Sequence, residues 1–239
     1  MIASLSGVLT FASFPAAAVL LGAGTTFVRT PGPAVRSAVQ HLAAGVIFCV
    51  LATELLPDLV HRRMPWVTVV GFSIGVAVML TLKWLGDRKG EGDPDTDTRG
   101  MMTAMGVDVA LDGMLIGLSF AAGERQGMLL TVALVLELFF LGVSCATSLG
   151  KIGRNRGRIV GACAGLGVAL LAGAVAGAVV LNHVRPAYVD ALLAFGVAAL
   201  LYLVTEELLT EAHEEPETPV QTAMFFLGFI VLFTLDMLV

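Results

Sequence analysis

Long apolar stretches, separated by short clusters of charged residues, glycine and proline, follow one another along the whole chain. Clusters of this kind mark breaks between regular segments. A helix needs roughly 20 apolar residues to cross the hydrocarbon of a bilayer, and each stretch is about that long. The pattern therefore predicts eight spanning helices, with bounds near 5–28, 37–60, 65–86, 101–122, 127–149, 158–182, 187–211 and 220–239.

Two connections between the predicted helices are long enough to form loops. The segment from Gly86 to Gly100 is rich in Asp, Gly and Lys or Arg, and the segment from His213 to Pro219 is acidic. We expect both segments to be solvated and to have no fold of their own. Residues 1–239 are therefore predicted to form a single all-α transmembrane transporter domain.

The composition excludes a water-soluble protein. Hydrophobic residues make up 57% of the chain, charged residues only 14%, and the mean hydropathy is +0.89, which is outside the balance of soluble domains. The net charge of -5 comes largely from the stretches Glu91 to Asp97 and Glu211 to Glu217, so we expect no nucleic-acid partner. The three cysteines lie in apolar stretches without metal or disulfide spacing, and we interpret them as packing residues.

The distribution of basic residues predicts the orientation of the chain, because basic loops are retained on the cytoplasmic side. One side would carry ten basic residues: Arg29, Arg36, Lys83, Arg88, Lys89, Arg99, Lys151, Arg154, Arg156 and Arg158. The other side would carry four: Arg62, Arg63, Arg125 and Arg185. We therefore expect a multi-pass protein of the cell (inner) membrane with both termini outside. The first apolar stretch lacks the basic start of a signal peptide, so we interpret it as a retained helix.

Small residues spaced four apart predict where helices approach one another closely in lipid. Four glycine pairs have this spacing: Gly71 and Gly75, Gly113 and Gly117, Gly161 and Gly165, and Gly173 and Gly177. In a chain rich in alanine and glycine such pairs arise easily. They therefore indicate tight packing in general and not a particular partner helix.

Three acidic residues fall near the centre of predicted spans, where a carboxylate costs about 2.5–3.5 kcal/mol on insertion scales. Asp108 and Asp112 are four residues apart on the fourth helix, which places both side chains on one face. Glu137 lies at a similar depth on the fifth helix, which enters from the other side. Acids at this depth without a Lys or Arg beside them must be neutralised by protons or cations, so they are candidate metal ligands.

Serines extend both groups of acids along their helices. Ser144 and Ser148 continue the face of Glu137, and Ser119 continues the face of Asp108 and Asp112, which favours a hydrated pathway. In the alternative interpretation, the acids bond to neighbouring helices and the serines bond to their own backbone. Carboxylates are ligands for Zn²⁺ and for harder divalent ions, and the central candidates contain no histidine. The choice among zinc, iron, manganese and cadmium is therefore open.

Two short segments in corresponding halves of the chain resemble each other. Residues 54–58 and 207–211 both read acid-Leu-Leu-x-acid, whereas Thr53-Glu54 and Thr205-Glu206 define a second register that ends at His61 and His213. Both registers are compatible with an inverted repeat of helices one to three and six to eight. In that arrangement Glu54 and Glu207 would line the two approaches to the central acids. Alternatively, these acids, Asp58 and Glu211 among them, are ordinary interfacial residues.

These residues resemble motifs of the ZIP family of metal-ion transporters, and the similarity covers nearly the whole chain. The most specific part is Tyr202 to His213, which is similar to the family pattern Tyr-x-x-x-Glu-Glu-x-x-x-Glu-Ala-His. Asp108 to Gly113 is similar to the metal-binding block of helix four, with Asp108 where the family usually has histidine. Glu137 likewise takes the histidine position of the helix-five block, while Leu138 and Leu141 replace two acids. The chain thus looks like a divergent member with one carboxylate site.

The resemblance implies eight helices arranged as three, two and three, with helices one, four, five and six moving as an elevator against the other four. It also implies metal transport into the cytoplasm. We expect the metal ligands to come from Asp108, Asp112, Glu137, Glu207, Glu54, Ser144 and Glu211. The expected partners are divalent metal ions and the lipid bilayer, no cofactor is expected, and a homodimer is left open.

Two other classes of function compete with transport as interpretations of the sequence. A non-transporting metal sensor or accessory protein would keep the fold after losing half of the metal centre. An enzyme is not expected, because no nucleophile and base pair, and no intact histidine cluster, occurs at membrane depth.

Overall fold

The computed structural model describes residues 5–28, 31–88, 94–183, 186–213 and 218–238. This part of the chain is helical and contains no strand. Its eight long helices are α1 (Leu5–Thr26), α2 (Pro33–Arg62), α3 (Pro65–Arg88), α4 (Pro94–Ala122), α5 (Glu124–Lys151), α6 (Arg156–His183), α7 (Pro186–Tyr202, continued by Leu203–Leu208 and Leu209–Ala212) and α8 (Pro219–Leu238). All eight contain a stretch long and apolar enough to cross a membrane, so the prediction of a multi-pass helical protein is confirmed.

The observed helices are longer than predicted at several ends. The largest difference is at α4, which begins at Pro94, whereas the sequence predicted a loop as far as Gly100. Helix α2 likewise begins at Pro33. Proline is favoured in the first turn of a helix because its missing N–H has no intrahelical partner there. Most of the predicted loop from Gly86 to Gly100 is therefore helical, and only residues 89–93 of it lie outside the described part.

Short turns fix the antiparallel order of neighbouring helices. Helix α2 ends where Arg63 adopts the left-handed conformation, with φ of 52°, and Pro65 then opens α3. Gly153, with φ of 74°, makes the corresponding turn between α5 and α6. The helix ends consequently collect at two ends of the bundle. We name these the Lys83 end, where α3 finishes, and the Arg125 end, where α5 begins.

Helices α2 and α7 each change from α- to π-helix near one end. The π segments are Leu51–Leu55 and Leu203–Leu208, and each begins two residues before a Thr-Glu pair. The two threonines make matching hydrogen bonds, from Thr53 Oγ1 to the Cys49 carbonyl at 3.0 Å and from Thr205 Oγ1 to the Leu201 carbonyl at 2.9 Å. This correspondence favours the Thr-Glu register of the predicted repeat over the acid-Leu-Leu register.

The helices pack as two groups. In the first group, α1 packs on α5 and α6, and α4 packs on α6 and α5. In the second group, α2 packs on α8 and α7, and α3 packs on α7. Helices α3 and α8 lie at the periphery. Only 17% of the residues in the most apolar stretch of each are buried, against 56% to 61% for α2, α5 and α7. Their outward side chains are large and apolar, as a lipid-facing surface requires.

Glycine sets the closest contacts inside each group. A Cβ atom added at Gly113 would collide with the Leu170 carbonyl of α6, and one at Gly173 would collide with the Ala110 carbonyl of α4. The pair Gly22 and Gly142 joins α1 to α5 in the same reciprocal way. In the second group, the same role belongs to Gly45 and Gly228 between α2 and α8, and to Gly71 and Gly75 between α3 and α7. Backbones therefore lie in direct contact within each group.

Contacts between the two groups are of a different kind. Among the described glycines, the only one with a close neighbour across the boundary is Gly196 of α7, and that neighbour is the side chain of Leu115, not a backbone atom. One of the predicted glycine pairs has no packing role, because a Cβ atom at Gly161 or Gly165 would meet open space. No described glycine thus brings two backbones together across the boundary between the groups, although α2 and α5 do pack on each other there.

Two substitutions on α6 test this assignment of the glycines. Gly173→Ala should lower the free energy of unfolding by about 1–3 kcal/mol, because the new methyl group overlaps the Ala110 carbonyl. Gly165→Ala, the matched control on the same helix, should be neutral or stabilising by up to about 1 kcal/mol, since alanine is the better helix former. Thermal unfolding in detergent compares the two, and equal melting temperatures would contradict the assignment.

Candidate metal centre

Asp108, Asp112 and Glu137, predicted as central acids, come together in the structure. Each offers one carboxylate oxygen, and the three oxygens all lie within 4.8 Å of one another. We refer to these three residues as the acidic triad. The triad lies near the middle of the membrane-spanning stretches of α4 and α5. The short distances between its oxygens show that the two helices face each other through these acids, as the sequence predicted.

The local sequence explains how the triad is formed. The i, i+4 spacing of Asp108 and Asp112 directs both side chains to one face of α4. Gly113, the next residue, faces the α6 backbone, and a rotation of about 100° away from it turns Asp112 toward α5. There Glu137 completes the cluster.

The triad is buried and incompletely bonded. Asp112 and Glu137 are 2% and 3% exposed, and Asp108 is partly buried. Asp112 Oδ2 and Glu137 Oε2 have no hydrogen-bond partner in the described part of the chain. Buried carboxylate oxygens normally have a donor or a cation beside them, because leaving them bare costs at least about 1–3 kcal/mol each. The alternative interpretation of Glu137 as an acid bonded to a neighbouring helix is therefore not supported for this oxygen.

A cavity of about 330 Å³ leads from the Lys83 end to the triad. Asp108 and Glu137 line its deep part, and Asp112 lies one turn further along α4, outside the lining. The wider part is bordered by Glu206, Glu207 and Thr210 of α7, all exposed. The cavity therefore connects two of the three central acids with the surface at the Lys83 end.

Other candidate ligands occupy different positions. Glu207 lines the cavity, and its charge acts on all three residues of the triad. Ser144 also lines the cavity, whereas Ser119 is buried outside it. Glu54 lies at the opposite end, where it forms an ion pair with Arg125. Among the described residues, Ser144 and Glu207 thus follow the predicted polar pathway on the Lys83 side of the triad.

The remaining acid and the histidines do not add to the triad. The side chain of Glu211 lies outside the described part of the structure. His41 is buried, with its Nδ1 2.9 Å from the Ser37 carbonyl and its ring centroid 5.3 Å from that of His213. The prediction that His41 is a satisfied structural residue agrees with this bonding. His213 Nδ1 contacts the Leu209 carbonyl of its own helix.

The sequence did not predict several residues that line the cavity. Gln40 is buried and lines the cavity, and Lys83 joins Glu206 across it at 3.0 Å. A signal for Gln40 was present, because Ser37, Gln40 and His41 form one polar face in an otherwise apolar stretch. The pairing of Lys83 with Glu206 joins two distant segments and has no local signature.

The three cysteines are buried and free, as expected of packing residues. Cys145 and Cys163 bring α5 and α6 together, with 3.8 Å between their Sγ atoms.

No protein-family model matches the chain, and no curated protein sequence matches it either. The acidic triad and its surroundings therefore carry the functional information.

Two equally buried aspartates provide a test of the triad. Asp190 is 4% exposed and bound to Arg62 at 2.6 Å, whereas Asp112 is 2% exposed and has an oxygen without a partner. Asp112→Asn should therefore raise the melting temperature of the metal-free protein, while Asp190→Asn should lower it by breaking a buried ion pair.

Metal provides the second readout of the same experiment. Added Mn²⁺ or Zn²⁺ should raise the melting temperature of the native protein and of Asp190→Asn, because ligand binding stabilises the folded state. It should leave Asp112→Asn almost unchanged. A metal-induced shift of native size in Asp112→Asn would remove this residue from the site.

Proposed function

We propose that this protein carries divalent transition-metal ions across a membrane, and that the ion binds at the acidic triad on its way. The observation that carries the proposal is the meeting of three carboxylates within 4.8 Å at mid-span, two of them with an oxygen that lacks a partner. Mutual repulsion and burial make such a cluster unfavourable unless a cation or protons compensate it. A passing dication supplies that compensation.

The size of the triad supports metal binding. For three oxygens no more than 4.8 Å apart, some point lies within about 2.8 Å of all three, and metal–oxygen distances are about 2.0–2.6 Å. A small inward movement of the side chains therefore closes the site around an ion. All three ligands are oxygens, which suits manganese, iron and zinc ions, and Glu207 adds a further negative charge nearby.

The cavity supports release of the ion at the Lys83 end. It joins the triad to the end of the bundle that is rich in Lys and Arg, which the distribution of charges predicts to be cytoplasmic. On the other side of the triad, α5 presents the fully buried Leu130 and Leu134 before it reaches Arg125. Such an arrangement fits a carrier that is open inward and closed outward, and we propose that the ion moves into the cytoplasm.

Alternating access requires one part of the protein to move against another. The matching π segments and the reciprocal helix pairs support an inverted repeat of α1–α3 and α6–α8 around the central pair α4 and α5. The glycine contacts support two rigid groups, because backbones are in contact within each group and side chains meet between them. We therefore propose that α1, α4, α5 and α6 move with the ion against α2, α3, α7 and α8, as in the elevator that the resemblance to the ZIP family implies.

Uptake of metal into vesicles tests the proposal. Purified protein in liposomes that enclose a metal-sensitive dye should take up at least one of Mn²⁺, Fe²⁺, Zn²⁺ and Cd²⁺ faster than protein-free liposomes. The double variant Asp108→Ala, Glu137→Ala should lose at least about tenfold of that rate, because two of three ligands are gone. Unchanged uptake in this variant would show that the ion does not pass through the triad.

A matched control removes the same two residue types elsewhere. Asp58→Ala with Glu124→Ala deletes one aspartate and one glutamate at the Arg125 end, where Glu124 is exposed and Asp58 pairs only within its own helix. We expect uptake close to the native rate, within about twofold. Binding without uptake in the native protein, measured by calorimetry, would instead support a metal sensor, and absence of both would support a structural role.

A further inference from the structure

We propose that Arg125 is a latch that holds the Arg125 end of the pathway closed by joining the two helix groups through Glu54 and Asp236. The inference rests on the proposed function, whose regulation it describes. It concerns the conformation of the protein and not the identity of the ion. It can therefore be tested without any metal.

The contacts of Arg125 converge from three helices. Arg125 lies in the first turn of α5, and its Nη2 is 2.7 Å and its Nε 3.0 Å from Asp236 Oδ1, near the end of α8. Nη2 also contacts the Asp236 carbonyl. Glu54, in the π segment of α2, places Oε1 3.8 Å from Nε. One guanidinium thus holds α5, α8 and α2 together at this end.

The position of this contact sets it apart from the others. Among the ion pairs between described side chains, Lys83 with Glu206 and Arg62 with Asp58 and Asp190 stay within the second helix group. Among these pairs of described side chains, those made by Arg125 are the ones that connect α5 of the first group with α2 and α8 of the second. Movement of the groups against each other therefore has to break the Arg125 pairs and leaves the other pairs intact.

Burial makes the latch effective. The side chains of Glu54 and Asp236 are only 9% and 13% exposed, whereas that of Arg125 is 44% exposed. The guanidinium therefore covers two largely buried carboxylates that would repel each other without it. Removing the positive partner of a buried acid costs more than the pair itself contributes, because the acid is left uncompensated. The closed arrangement is thus stabilised by Arg125 in particular.

The latch lies above the closed part of the pathway. Leu130, Leu134 and Glu137 follow one another on one face of α5 below Arg125, and both leucines are fully buried. When the Arg125 pairs break and α5 shifts, Leu130 is the first of these three side chains that water should meet from the Arg125 end. A cysteine at position 130 therefore reports opening at this end.

The experiment compares two arginines at the same end of the protein. Leu130→Cys protein in lipid nanodiscs is treated with a charged thiol reagent that does not enter lipid, and the native cysteines add little background because all three are buried. Adding Arg125→Gln should raise the labelling rate about two- to fivefold, the change in open population expected from losing a partly exposed ion pair. Adding Arg62→Gln, which breaks pairs inside one group, should leave the rate unchanged.

A charge swap distinguishes the loss of this ion pair from a general destabilisation of the protein. Arg125→Asp should increase labelling, and Arg125→Asp together with Asp236→Arg should bring it back toward the native rate, because the pair is restored in reverse and Glu54 still finds an arginine. If Arg125→Gln does not fold, Arg125→Lys takes its place. It keeps the charge but not the forked contact, and we expect a smaller rise.

The possible outcomes separate the latch from the proposed function. Equal labelling with Arg125→Gln and Arg62→Gln, or no effect of either, would overturn the latch even if metal uptake is found. A rise with Arg125→Gln alone, reversed by the swap, would support the latch even if the triad carries no metal. Labelling that stays high in the swapped variant would also count against it.

Discussion

The mutual repulsion of three closely spaced and largely buried carboxylates is the constraint around which the rest of this protein is arranged. Asp112 and Glu137 are almost fully buried, and no described donor reaches Asp112 Oδ2 or Glu137 Oε2. Such a cluster is unfavourable unless protons or a cation compensate its charge. The cavity from the Lys83 end, with Glu207 on its wall, connects the cluster with the surface.

Glycine residues and a bulky aliphatic side chain make two different kinds of contact between helices. Reciprocal glycine contacts, such as Gly113 with the Leu170 carbonyl and Gly173 with the Ala110 carbonyl, hold each helix group as one body. Between the groups, Gly196 meets only the flexible side chain of Leu115. The first kind of contact resists any shift, since backbones cannot change shape cheaply. The second kind can yield by a change of rotamer, which supports the proposed movement of one group against the other.

Much of this arrangement could be predicted from the sequence, and the part that could not has clear reasons. Long apolar stretches indicated all eight helices, and the spacing of Asp108 and Asp112 together with the depth of Glu137 predicted the triad, because helical periodicity and membrane depth are local properties. The helical start of α4 at Pro94 was missed because a polar composition dominated the pattern. Contacts such as Arg125 with Asp236 depend on the tertiary fold, and Gly161 and Gly165 have the same spacing as the packing glycines although they face open space.

The π segment of α7 has a consequence for the two consecutive glutamates that it contains. Each residue of a helix is rotated by about 100° from the one before, so Glu206 and Glu207 point in different directions, one toward Lys83 and the other toward the triad. A π segment holds one extra residue, and a displacement of that residue by a single position would turn the neighbouring glutamate toward the triad. In the proposed function, such a displacement would change which of the two acids the ion meets.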